Sequence, residues 1–169
     1  MRVYIPATGP VLAELAKRGR LGPAPLAAFA VTPALREWYV EGDEEELEYA
    51  AMTEAARASL RLLAADPMAP RRRAVVAADL PDAAVTPVGT PFSRDEGVVP
   101  AEVRLGRPVE LADIASFLMD EAAAEPAVGE AALVARAADE GDEDAQFTVD
   151  GVEDYDLLWF ATQELPDLI

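Results

Sequence analysis

Hydrophobic and polar positions change period several times along the chain, and each change marks a predicted element. Arg2 to Ile5 alternates and is rich in β-branched residues, which predicts a strand with Val3 and Ile5 on one face and Arg2 and Tyr4 on the other, ended by Pro6. Thr8 then caps a short helix whose first turn accepts Pro10 and whose stripe of Val11, Leu12, Leu15 and Ala16 stops at Gly19 and Gly22. The apolar run Leu26 to Val31 reads as a buried strand, and Thr32-Pro33 opens a turn of helix through Tyr39.

The strongest local signal follows at Gly42-Asp43-Glu44-Glu45-Glu46. Asp43 is a good N-cap, Glu46 holds the capping-box position, and the acids complement the helix dipole. Leu47, Ala51, Ala55, Ala58 and Leu62 recur at helical spacing, so a helix is expected from Asp43 to Ala65, its alanine face suited to close packing on a sheet. Asp66 to Pro70 breaks the chain, and Arg71 to Ala78 reads as a strand with a basic first end. Leu80 to Pro100 is proline-rich and poor in apolar anchors, which predicts a long loop of functional or mobile character.

An extended segment is expected at Val103 to Val109. Asp113 to Met119 fits either a helix or a strand. The strand is preferred because Ala115, Phe117 and Met119 alternate with Ile114, Ser116 and Leu118, and because a helix opens afterwards at Glu125-Pro126 and runs to Ala138. Asp139 to Asp156 reads as an acidic loop. Leu157 to Ala161 is a strand or an aromatic helix, and the order of elements favours the strand. With it, the chain contains a β-α-β-β-α-β series, and the expectation is an α+β two-layer sandwich, with a ferredoxin-like core carrying an inserted helix and strand. At 169 residues one globular domain over 1–169 is the default.

Charge changes the picture more than composition does. From Pro108 to Ile169 there are seventeen Asp and Glu against Arg136 alone, within a chain whose net charge is −18. Such a field repels phosphate backbones and anionic lipid, so neither direct nucleic-acid contact nor a membrane surface is expected, and a basic protein is the favoured partner. There is no histidine and no cysteine. Disulfides, thiolate nucleophiles, imidazole general bases and cysteine-ligated metals are therefore excluded. No apolar run reaches membrane-spanning length and Met1 to Pro6 turns polar too soon for a signal peptide, so a cytoplasmic location is expected.

Three groups of residues remain as candidates. Asp120, Glu121, Asp154 and Asp156 would form a hard-cation site if the strand ends that carry them lie side by side, against the simpler expectation of solvated acids at strand ends. A calcium loop fails on spacing: starting at Asp139 puts Gly141 at a ligand position, and starting at Asp142 puts Phe147 where glycine is required. Trp38 with Tyr39, and Tyr155 with Trp159, place aromatics next to carboxylates, a pairing that suits recognition of Arg or Lys by cation–π contact and ion pairing, although core anchoring is the commoner use. Arg71-Arg72-Arg73 is the one dense basic patch. Without a helix N-terminus or glycine-rich turn beside it, edge protection or pairing with the acids of the Asp43 helix is preferred over an anion site.

The opening MRVYIPAT, the block TPALREWYVEGDEEELEYAAMTEAARASLRLLA and the ending EDYDLLWFATQEL together resemble a family of uncharacterised proteins from high-G+C Gram-positive bacteria. That resemblance implies no activity, ligand or site. The function expected from the residues is an acidic binding or regulatory protein without catalysis or cofactor. The alternative is a magnesium- or manganese-dependent enzyme acting on a phosphate-containing substrate through Asp120, Glu121, Asp154 and Asp156. A third reading is an oligomer whose sheet or aromatic patches pair with a second copy.

Overall fold

In the computed structural model, residues 1–90 and 97–169 are described, and they form nine strands and five α-helices. In chain order these are β1 (Arg2–Ala7), α1 (Gly9–Arg18), β2 (Arg20–Leu21), β3 (Leu26–Ala30), α2 (Pro33–Trp38), α3 (Glu44–Ala65), β4 (Ala74–Asp79), β5 (Val85–Pro87), β6 (Glu102–Leu105), β7 (Val109–Glu110), β8 (Ile114–Asp120), α4 (Glu125–Asp139), α5 (Glu143–Gly151) and β9 (Leu157–Phe160). Seven strands make one antiparallel sheet in the order β5-β6-β3-β1-β4-β8-β9, and β2 pairs with β7 apart from it. The α+β class therefore holds.

The ferredoxin-like connectivity does not. In that core the strands flanking the first long helix run parallel with another strand between them, and the last strand returns beside the first. Here β1 and β4 are antiparallel neighbours, in register from Arg2↔Asp79 to Ala7↔Ala74, and β9 lies at an edge beside β8. The physical reason is that α3 follows β3 rather than β1. Because β3 and β4 both run antiparallel to β1, the crossover through α3 joins β3 to β4 with β1 between them.

Both faces of the sheet are covered at its centre, which explains why β1 and β4 are almost wholly buried. On one face Val3, Ile5, Val76, Phe117 and Met119 pack with Leu12 and Leu15 of α1 and with Leu165 from the C-terminal turn. On the other, Tyr4, Phe29, Val75 and Ala77 meet Leu47, Ala51 and Ala55 of α3. The capping box opening α3 forms as expected: the Glu46 amide donates to Asp43 Oδ1 at 2.9 Å, and the Asp43 amide to Glu46 Oε2 at 3.1 Å. The buried stripe then continues through Ser59 and Leu63 rather than Ala58 and Leu62, and Leu62 is exposed. Ser59 joins the layers, donating to the Ala7 carbonyl at 2.6 Å and accepting from the Ala74 amide at 3.0 Å.

A third apolar cluster lies where Leu60 and Leu63 of α3 meet α4 and α5. Here the expected acidic loop at 139–156 is corrected: Glu143–Gly151 is helical. Asp142 caps it by accepting from the Ala145 amide at 2.9 Å, Glu143 and Asp144 sit in the first turn where the dipole favours acids, and Ala145 and Val149 fall one turn apart against the alanines of α4. The long loop expected over 80–100 holds a 3-10 turn at Asp82–Ala84 and the edge strand β5, while its residues 91–96 lie outside the described residues.

Candidate functional site

A groove runs along the exposed side of α3, and the local sequence explains its lining. Thr32 caps α2 by accepting from the Leu35 amide at 3.0 Å, and the six-residue helix ends at Trp38, so Trp38 and Tyr39 are carried out beyond the core. Trp38 is 73% exposed and Tyr39 46%. Across from them the first turns of α3 present Glu45 and, one turn later on the same face, Tyr49, which is 59% exposed.

Three clefts join along this face. Trp38, Tyr39, Glu54 and Arg57 line one, with Val98 to Ala101 as its far wall. Tyr39, Asp43, Glu45, Glu46, Tyr49, Glu54 and Arg57 line the next. The third, about 150 Å³, is lined by Tyr49, Thr53 and Arg57 together with Arg73, Glu153, Tyr155, Asp156 and Leu157. Shared residues make them one surface from Trp38 to the start of β9.

Arg57 sits mid-groove. It donates through Nε to Glu153 Oε1 and through Nη1 to Glu54 Oε1, both at 2.6 Å. The hydrogen bond that Arg57 donates to Glu153 is the chief cause holding its pKa above the ordinary arginine value. The groove thus already holds one guanidinium between two carboxylates and beside tyrosines. Among the described residues Glu45 and Asp156 have no ion-pair partner.

The structure separates the other expected groups. Asp120 is fully buried at the end of β8, and its carboxylate accepts from the Arg73 amide (2.7 Å), Arg73 Nε (2.9 Å) and Arg73 Nη2 (2.7 Å). Arg73 Nη2 also donates to the Tyr155 carbonyl at 3.0 Å, tying the start of β9 to the start of β4. Glu121, Asp154 and Asp156 are exposed. Among the described residues no three acids come together in a way that would hold a metal ion. Asp120 is brought together with an arginine rather than with the other three carboxylates.

The remaining arginines of the 71–73 patch serve the fold instead of an anion or the acids opening α3. Arg71 donates to the carbonyls of Leu63, Asp66 and Ala69, closing the C-terminus of α3, which has no basic residue of its own in its last turn. Arg72 Nε donates to the Asp120 carbonyl at 2.7 Å. Tyr155 lines the groove as a half-buried residue, whereas Trp159 stands 64% exposed on the edge strand β9, outside the clefts. Tyr49, Glu54, Arg57 and Glu153 are groove residues that sequence reasoning passed over. For Tyr49 the signal was its spacing of four from Glu45 on a helix whose opening acids are read only as complementing the dipole.

Among the seventeen acids from residue 108 onward, only Asp113, Asp120, Asp139, Glu140 and Glu153 have an ion-pair partner among the described residues. Among the described residues, no helix is long and apolar enough to cross a membrane. Fold and surface together define an α+β protein with an aromatic-lined, carboxylate-rich face. A family model matches residues 1–169, and the chain belongs to that family of unknown function, DUF6912. No curated protein and no solved structure matches it.

Proposed function

We propose that this is a non-catalytic, cytoplasmic binding or regulatory protein that presents its carboxylate-rich surface to a basic protein, without direct contact to nucleic acid. The observation carrying this reading is the α3 groove, where exposed Trp38, Tyr39 and Tyr49 alternate with Asp43, Glu45, Glu46 and Glu54 around an arginine already held by two acids. Aromatic faces and carboxylates both favour a guanidinium or ammonium group, and the net charge of −18 speeds its approach. The reading is tested with a capped arginine-rich peptide at low salt, followed by tryptophan fluorescence in a Trp159→Phe background, where Trp38 is the only reporter. A saturable change is expected, weakened at least about fivefold, roughly 1 kcal/mol, by Glu45→Gln with Tyr49→Ala. No change in the parent protein would remove the reading, and equal binding by the double variant would remove the groove from it.

A further inference from the structure

The two edges of the sheet differ in protection. At one, β5 is three residues long and ends in Pro87, which has no N–H to offer a neighbouring strand. At the other, β9 is Leu157-Leu158-Trp159-Phe160, with neither proline nor charge inside it, and Trp159 is 64% and Leu158 43% exposed. Unpaired, uncharged edges of this kind are templates for another strand.

Hydrogen bonding fixes which groups face outward. The Asp120 amide donates to the Arg73 carbonyl at 3.0 Å, so Asp120 and Leu118 turn their backbone groups toward β4, while Met119 and Phe117 turn theirs toward β9. Their partners across the ladder are Leu158 and Phe160. The N–H and C=O of Leu157 and Trp159 are therefore the groups left pointing to the open side. Beyond them the edge is closed, because the Ala161 amide donates to Glu164 Oε2 at 2.6 Å.

We infer that β9 accepts an extended basic segment of the partner as an eighth strand, hydrogen-bonded to Leu157 and Trp159. The occupant is assigned by charge: Asp154 and Asp156 lie just before the edge, Asp167 lies beyond it, and none of the three has an ion-pair partner among the described residues. The α3 groove reaches Leu157, so a segment seated on β9 continues directly into it. Alternating cationic and apolar side chains suit this edge, the cations opposite the flanking acids and the apolar residues beside Leu158 and Trp159. A second copy of this chain is the less favoured occupant, since it would bring another −18 to the same edge.

The inference rests on the basic-partner reading, and its test separates the two. A capped peptide of alternating arginine and valine is compared with the same peptide N-methylated at the residues facing β9, which keeps charge and removes backbone donors. The expected result is at least tenfold weaker binding of the methylated peptide, together with slowed amide exchange at Leu157 and Trp159 when the unmodified peptide is bound. Trp159→Pro, which deletes an outward N–H and no bond to β8, should weaken binding by a similar factor. If it unfolds the chain, the peptide comparison still decides. Equal binding of both peptides with unchanged exchange overturns strand addition but leaves the basic-partner reading standing, whereas binding of neither overturns both. Protection of these amides in the free chain alongside a dimeric mass overturns the choice of occupant.

Discussion

Replacing Asp120 by alanine tests how the C-terminal edge is held. The side chains of Arg73 and Asp120 are 5% and 0% exposed, so removing the carboxylate leaves a buried guanidinium without its ion-pair partner. Three donors lose the Asp120 carboxylate at once: the Arg73 amide and Nε, and Nη2, which keeps the Tyr155 carbonyl. Breaking a buried ion pair from one side costs about 3–5 kcal/mol, a range that already contains the penalty for the orphaned amide. With unfolding entropy near 2.1 cal/mol/K per residue, that loss lowers the Tm of a chain this long by about 8–14 °C, measured by calorimetry, while urea unfolding reads the free-energy loss itself. Replacing both partners, Arg73→Met with Asp120→Leu, removes the stranded charge and should fall within about 2 kcal/mol of the parent, the remaining cost coming from the backbone amide of residue 73 and the Tyr155 carbonyl, which lose their side-chain partners. An Asp120→Ala loss below about 1 kcal/mol would refute the reasoning, and so would a double variant as damaged as the sum of the singles.

Other variants probe the joints and caps. Ser59→Ala strands the Ala7 carbonyl and the Ala74 amide inside the protein and should cost about 1–3 kcal/mol by urea unfolding. Asp142→Ala removes the cap of α5 and should cost about 1 kcal/mol, with amide exchange rising first in residues 143–151. Acid stability follows from Asp79 and Asp113, whose pKa values are held down chiefly by hydrogen bonds from Arg2 and Arg107. Because the folded pKa values are depressed, their contribution is complete above the ordinary carboxylate pKa near 4 and is lost as pH falls through the folded values, so Arg2→Ala should lower the neutral plateau slightly, flatten the acid limb of a stability–pH curve and converge with the parent at the acid end.

Much of the fold was legible because local rules and tertiary packing agreed. The Asp43–Glu46 capping box, the Thr32 cap and the alternation at Phe117 and Met119 all produced the elements their patterns predict. α5 was not legible. Its buried side amounts to Ala145 and Val149, its one aromatic residue, Phe147, points to solvent, and the acids that announce its first turn look the same as a solvated loop. Sheet order was equally hidden, since pairing of β1 with β4 depends on which strand the α3 crossover leaves from, and local periodicity does not record that. The candidate site was half visible. Carboxylates and aromatics stood out by composition, but Asp120 looked free because its partner Arg73 lies 47 residues away in sequence, and Tyr49 looked solvated because its neighbours across the groove come from α2 and the start of β9.

The role proposed for the carboxylate-rich, aromatic face is to receive a basic protein segment. Titration calorimetry of the full chain with a capped arginine-rich peptide, run at about 50 mM and about 500 mM salt, measures this most directly, because contacts between exposed charges are screened over roughly 10 Å or less across that range. Saturable binding at low salt that weakens at least tenfold at high salt is expected. No binding at low salt, or an affinity indifferent to salt, would contradict it.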